Sequence, residues 1–371
     1  MDPGSGARPP SYRGTPALLL TLLLVALLWA LTSASRANAD AFVPPQGKVW
    51  HGVSDTGEVK DFRGYERQTR SHPAMLQALY HWDVSLSASG AFDRWRRTDT
   101  LGVVSLSTTS GEGDERIKPR GIAQGRGDHY MLRLNESIAN SGQRVFFRLM
   151  PEMNGHWNRY SAFDAAGRPR PGVSTRSFRQ AWRRFSIIVR GGSLASMNKR
   201  LRTLGMPRVL RAKSNRDPRY AKRGVPDVLE RADVALMWVP QTSGSPDVRG
   251  NDPGAYWPGR RYVDWVGADI FAKFDTRTVW RNLDRFYDRY RGLPFVIGEY
   301  SPYDGDPGGR FTKRLHGWAK RHPRVRSLLY YRSVSTDNAY GLHRYPGAKK
   351  ALRRILDQRR YQAYAPGVRT R

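Results

Sequence analysis

Cysteine is absent from all 371 residues of the chain. A disulfide-stapled mini-fold is therefore excluded, oxidation outside a cell neither threatens nor braces the protein, and stability has to come from packing. Acidic residues are scarce, with 32 Asp and Glu against 63 Lys and Arg, which leaves a formal charge of +31. A field of that sign favours polyanions such as an anionic cell-envelope polymer or an acidic polysaccharide, although a solvated basic coat gives the same count. No arginine-glycine repeat, zinc-finger spacing or aromatic RNA-binding signature accompanies the charge, so no nucleic-acid partner is expected. Also missing are a His-Glu-x-x-His element and a Gly-x-Gly-x-x-Gly after the first strand-like run. Neither a metal nor a nucleotide or other cofactor is expected.

Long apolar runs are nearly absent too. The one that exists, Ala17 to Leu31, follows Arg8 and Arg13 and precedes Ala37-Asn38-Ala39, the order of a secretory signal peptide. It falls short of the roughly 20 residues a spanning helix needs, so residues 1–39 are expected to be a cleaved leader, with an uncleaved membrane anchor as the alternative. Either way the protein is expected to be secreted or held at the cell envelope. Residues 40–371 suit a single catalytic domain of elaborated-barrel size, expected to be monomeric, with a basic insertion around 198–231.

What the chain does have is alternation. Strand-like runs occur at Val49 to Ser54, Leu76 to Val84, Leu101 to Leu106, Val145 to Met150, Val234 to Val239, Tyr262 to Ile270, Phe295 to Tyr300 and Ser327 to Val334. Helical patterns lie between them, the clearest in "STRSFRQAWRRFSIIVR", where Phe178, Trp182, Phe185 and Val189 recur at three- and four-residue steps behind a Ser/Thr cap. Eight strand-helix units predict an α/β fold of the (β/α)8 TIM-barrel kind.

Such barrels carry their sites at the carboxyl ends of the strands. Glu152 stands just beyond the fourth run and Glu299 ends the seventh. Facing carboxyls about 5 Å apart would allow double displacement at an anomeric carbon, one protonating the leaving oxygen and the other attacking. A strand-end glutamate can equally be an ion-pair partner for an arginine. Trp157, Trp238, Trp257, Phe271 and Tyr331 fall at or beyond strand ends, where flat faces stack on sugar rings, whereas Trp265 and Tyr330 read as barrel packing. Two weaker signals are a turn-like "GRGD", in which Asp128 is expected to cap the following helix, and the Asn135-Glu136-Ser137 sequon, treated as chance within a helix.

"FRLMPEMNGHWNRY" resembles the acid/base motif of glycoside hydrolase family 26, and "YVDWVGADIF", "MWVPQ" and "PFVIGEYSP" are similar to that family's sixth-, fifth- and seventh-strand segments. The resemblance runs in order over roughly residues 45 to 360. It implies a β-mannanase-like retaining endo-glycanase on a (β/α)8 barrel, with β-1,4-mannan as the default substrate and mixed-linkage β-glucan or β-1,3-xylan in some members. Carried over residue by residue, Glu152 matches the general acid/base and Glu299 the nucleophile. Arg148, Asn154, Trp157, Trp238 and Asp269 match motif positions implied to bind or shape the sugar site, and Phe271 and Tyr331 join them at strand ends. The chain departs from the pattern at Pro151, where many members have His, at Phe271 for Tyr, at Tyr160 for Trp and at Gln241 for Asn. The alternatives are a barrel that binds polysaccharide at the cell surface without cleaving it, or a hydrolase of an acidic exopolysaccharide.

Overall fold

Every one of the eight apolar runs is a strand in the structure, a computed structural model that describes residues 42–56, 58–209, 224–332 and 339–368. The strands are β1 (Val49–Asp55), β2 (Met75–Tyr80), β3 (Leu101–Leu106), β4 (Val145–Leu149), β5 (Val234–Trp238), β6 (Trp265–Phe271), β7 (Phe295–Ser301) and β8 (Val325–Tyr331). Neighbours in sequence pair in parallel all the way round, and β8 returns to β1 through the register Trp50 with Ser327 to Ser54 with Tyr331. The result is a closed (β/α)8 barrel. The leader expected at residues 1–39 lies outside the described residues. Among the described residues no helix is long and apolar enough to cross a membrane.

Helices wrap the barrel: α1 (Val59–Thr69), α2 (Ala91–Arg97), α3 (Pro119–Ala123), α4 (Asp128–Ser141), α5 (Thr175–Val189), α6 (Leu194–Thr203), α7 (Arg277–Arg289), α8 (Arg310–Arg321) and α9 (Pro346–Leu356). Helix α5 starts where the sequence predicts, because Ser174 and Ser177 satisfy each other's backbone N–H in a capping box. Part of the stretch expected as an insertion is regular: α6 runs to Thr203, and Val228–Leu229 pairs antiparallel with Gly192–Ser193. Strand β2 ends before the predicted Val84, in a turn where Asp83 takes a φ of 71°.

Strand parity decides what faces the lumen. In β4, Phe147 packs outward on Phe185 of α5, with ring centroids 5.3 Å apart, so Phe146 and Arg148 point inward. Phe146 meets Trp50 of β1 at 6.2 Å and Trp265 of β6 at 6.0 Å, both edge-on. These three rings plug the barrel beneath Arg148 and separate its upper end from the end where the strands begin.

Two expectations about α4 are settled by packing. Asp128 is the first residue of α4 and caps nothing; its carboxylate receives Nε and Nη2 of the fully buried Arg184 at 2.6 and 2.5 Å. Asn135 is 2 % exposed, and its amide donates to the carbonyls of Val189 and Glu230, so the sequon is closed to a glycosyl donor. The ion pair predicts a distinct stability effect. Asp128→Ala should lower the unfolding free energy by about 3–5 kcal/mol, because it strands a buried guanidinium, rather than the roughly 1 kcal/mol of a lost cap. Urea unfolding followed by tryptophan fluorescence reads the difference.

Candidate active site

The inward parity of β4 places Arg148, which is fully buried, at the centre of the upper barrel. Its Nη2 donates to Asp269 Oδ2 on β6 at 2.6 Å, and its Nη1 donates to Glu299 Oε1 on β7 at 2.5 Å. Glu299 arrives there through a bulge. Ala268 pairs with Ile297 but Asp269 pairs with Glu299, so Gly298 is an extra residue on β7, and the shift brings the two carboxyls into one register. The extra residue has to be glycine: a Cβ at 298 would lie 2.6 Å from Asp269 Oδ1 and 3.2 Å from Arg148 Cζ. Gln77, inward-facing on β2, donates a further bond to Glu299 Oε1 at 3.0 Å.

Glu152 comes from the loop after β4. The chain turns sharply there, with Met150 at φ 45° and Glu152 at φ 51°, left-handed conformations that cost roughly 1–3 kcal/mol each and are held by the surroundings. The holding bonds are explicit. Glu152 N–H donates to Val239 O at 2.8 Å, the Tyr160 hydroxyl donates to Pro151 O at 2.8 Å, and Asn158 donates to the Glu152 carbonyl at 3.0 Å. The Glu152 carboxyl receives Trp157 Nε1 at 3.0 Å on Oε2 and the Gln241 amide on Oε1. Trp157 lies flat over Gly155, where a Cβ would come within 2.4 Å of the indole.

These environments separate the carboxyls electrostatically. Glu299 and Asp269 share the one guanidinium, whereas Glu152 is held only by neutral donors. Burial raises the Glu152 carboxyl above its ordinary range, the negative charge of Glu299 raises it further, and Arg148 and the Trp157 bond oppose this. Burial raises Asp269 well above its ordinary range too, against the attraction of Arg148 and with the charges of Glu299 and Glu152 pushing the same way. Three carboxyls around one cation cannot all ionise cheaply, and Glu152 and Asp269, the two whose proton affinity is raised, hold a proton between them. Asp269 Oδ1 has no hydrogen-bond partner of its own, leaving an acceptor beside the protonated group. Among the described residues no group of three or more His, Asp or Glu side chains is placed to hold a metal, and Arg148 fills the position between the acids.

The expected sugar-binding residues divide into two sets. Trp157, 51 % exposed, and the half-buried Phe271 and Tyr331, whose rings meet at 5.9 Å, have surface to offer a ligand. Arg148, Asn154, Trp238 and Asp269 do not. Asn154 spends its amide on the backbone of Gln241 and Ser243 at 2.9 to 3.1 Å. Trp238 points outward from β5 and packs on Trp257, Phe286 and Tyr290, fully buried, so it supports the barrel and presents no face to a sugar. Arg148 and Asp269 act through the other carboxyls. The sequence reading missed Gln77 and the bond from Gln241 to Glu152, although an amide inside the apolar run "AMLQALY" was a visible signal. It also missed an aromatic group beside Phe271: Tyr303 and Tyr340 stack at 4.4 Å, Lys273 Nζ lies 4.5 Å from the Tyr303 ring, and Phe274 is 53 % exposed.

No family model matches the sequence, and no curated protein matches it. Solved structures do resemble the fold. GH26A from Muricauda sp. MAR_2010_75 aligns with a TM-score of 0.51 at 12 % identity, over 85 % of this chain and 91 % of that one. The Bacillus subtilis mannanase BCman aligns with a TM-score of 0.51 at 14 % identity, over 85 % and 86 %. A double mutant of the Cellulomonas fimi endo-β-1,4-mannanase gives 0.51 at 14 %, over 87 % and 73 %. At these identities the likeness is one of fold.

Two outcomes follow from the geometry. Gly298→Ala should cost about 1–3 kcal/mol of stability by forcing Asp269 and Arg148 apart, and should lower any turnover, read by thermal melting beside a rate assay. For Glu152, a raised folded-state value means that ionising it opposes folding. The protein is relieved of this below the ordinary glutamate range, and the cost grows as pH rises through the folded value. Glu152→Gln should therefore melt higher than the parent at pH 7, by about 2 °C or more, and at the parent's own temperature at pH 4. An equal gain at both pH values would assign the effect to packing instead.

Proposed function

We propose that the chain is a glycoside hydrolase that cleaves a β-linked polysaccharide by double displacement. The observation that carries this reading is the split between two carboxyls at the same end of the barrel: Glu299 is anchored by Arg148 and Gln77, and Glu152 is raised by burial and by the charge of Glu299. Glu152 protonates the glycosidic oxygen as it leaves. The carboxylate of Glu299 attacks the anomeric carbon and forms a glycosyl ester. Glu152, now ionised, removes a proton from the water that attacks the same carbon and releases Glu299. Trp157 keeps Glu152 aimed while presenting an aromatic face to the sugar.

β-1,4-Mannan is the default substrate, supported by two fold neighbours named as mannanases and by the collinear sequence motifs. The apolar run at residues 17–31 supports action outside the cytoplasm. A non-hydrolytic polysaccharide binder is the second reading, favoured by Pro151 standing in the acid/base motif.

A reducing-sugar assay on mannan, glucomannan, lichenan, β-1,3-xylan and cellulose tests the proposal. Activity on one polymer should fall about 10²–10⁴-fold in Glu152→Ala, and at least as far in Glu299→Ala. An aryl glycoside with a good leaving group needs no proton, so with it Glu152→Ala should recover most of the bond-cleavage step and Glu299→Ala none. Proton NMR should find the β-anomer first; a first-formed α-anomer would rule out double displacement. Because Glu152 must be protonated, kcat/KM should decline as pH rises through its raised value, and that alkaline limb should vanish in Glu152→Ala acting on the aryl glycoside. Silence across the panel, with parent and variants binding one polymer equally, supports the binder.

A further inference from the structure

We propose that the barrel face opposite the carboxyls, where the strands begin, is a second carbohydrate-binding site that takes an acidic polysaccharide. The reading of the chain as a polysaccharide hydrolase enters only in the kind of polymer it meets. Two grooves open on this face. One, of about 720 Å³, lies between α2, the start of β3 and the C-terminal segment; Arg96, Arg97 and Arg144 line it with Asp93 and Asp99, and Arg63 lines it while pairing with Glu66 at 2.7 Å, whose other oxygen meets His72 at 2.6 Å. The other, of about 560 Å³, lies between the ends of α1 and α9, with Arg70, Arg353, Arg354 and Arg359 facing Asp357.

A single ring stack separates the grooves. His72, in the wall of the second, reaches the carbonyl of Asp99 in the wall of the first at 3.3 Å. Tyr364 stacks on His72 at 4.2 Å and remains 39 % exposed. The order across the face is arginines, an open tyrosine ring, then arginines.

Part of this charge has a local cause. In an αβ barrel every helix ends on this face, and cations there complement the helix macrodipole. That role covers the last-turn residues Arg96, Arg97, Arg353 and Arg354, but not Arg63, Arg144 and Arg359, which line the same grooves from outside a last turn. Arg96 and Arg97 stand together on α2, and among the described residues the carboxylate at ion-pair distance from them is that of Asp93, at 3.5 and 3.9 Å; all three are exposed. Among the described residues Arg70, Arg354 and Arg359 have no carboxylate at ion-pair distance. Guanidinium forks match carboxylates in a bidentate fashion, and an aromatic face takes a pyranose ring. A chain that carries both sugar rings and carboxylates satisfies the whole face; a lipid surface or duplex DNA engages only the charge.

The test uses the full chain carrying Glu299→Ala, so that binding is read without turnover. Probes are polygalacturonate, neutral galactan, duplex DNA and vesicles of anionic lipid, at low and moderate salt. Removing Arg96, Arg97, Arg354 and Arg359 together as alanines should weaken polygalacturonate binding about tenfold at low salt. Removing four charges elsewhere, at Arg277, Arg281, Arg285 and Lys313, should weaken it less than about twofold. Tyr364→Ala should weaken polygalacturonate and leave DNA unchanged, with melting temperatures near the parent's confirming that the variants fold. Equal losses from both sets of four would overturn the proposal in favour of diffuse charge. DNA or vesicles bound as tightly, with no effect of Tyr364→Ala, would overturn it in favour of those partners. In protein with Glu299 intact, the groove variants should cleave a neutral oligosaccharide at the parental rate. Failure of all cleavage with the binding pattern preserved counts against the catalytic reading alone.

Discussion

One buried guanidinium organises the upper half of the barrel. Arg148 has no solvent to compensate its charge, so the fold must bring it carboxylates, and β6 and β7 supply one each at 2.6 and 2.5 Å. Much of the local architecture follows from that demand. The bulge at Gly298 lets two carboxyls approach from adjacent strands, and the missing Cβ leaves room for the fork between them. The plug of Trp50, Phe146 and Trp265 keeps the pair dry from below. With its charge spent on Asp269 and Glu299, Arg148 can only partly offset the burial of Glu152. Glu152 is thus the one carboxyl of the three without an ion pair to the arginine.

The barrel was legible in the sequence because parallel strands covered on both faces read as apolar runs, and there are eight of them. The same property hid the orientation of their residues. A run such as "VALMW" is apolar at every position, so nothing in it says whether Trp238 points inward or outward; only its packing against Phe286 and Tyr290 decides. Glu152 and Trp157 stood out because they lie past the core of β4, and Glu299 because it is a charged residue near the end of an otherwise apolar run, where polarity has to have a reason. The register shift that carries Glu299 to Asp269 was not legible, since a bulge is a property of the pair of strands. Asp128 was misread for a similar cause. Its position before a helix suggests a cap, but its partner Arg184 lies 56 residues away.

Three of the four departures from the family pattern lie close together in space. The Tyr160 hydroxyl donates to the carbonyl of Pro151, Pro151 is flanked by the left-handed Met150 and Glu152, and Gln241 donates to the Glu152 carboxyl. They form one support for the loop that carries Glu152. A histidine returned at 151 alone would meet a loop shaped for proline, and an asparagine at 241 would be one methylene short of the carboxyl that Gln241 reaches. These positions are therefore coupled, and their effects on Glu152 should not add independently. Phe271 stands outside this group. It belongs to the aromatic group of Tyr303, Tyr331 and Tyr340, where a ring face matters more than a hydroxyl.

The direction of the chain in a barrel also sorts charge between its two ends. Strand ends above carry Glu152, Asp269 and Glu299, and helix ends below carry Arg96, Arg97, Arg353 and Arg354. A formal charge of +31 is therefore not a uniform coat. At the upper end Arg148 is outnumbered by the acids around it and is sealed from solvent, so it acts on proton affinity and contributes little to long-range attraction. At the lower end arginines reach solvent and act at a distance, within the roughly 8–10 Å over which salt permits it. The two ends are separated by a plug of packed aromatic rings. Changes in surface charge below can alter what polymer the protein stays near while the proton balance around Arg148 is left intact.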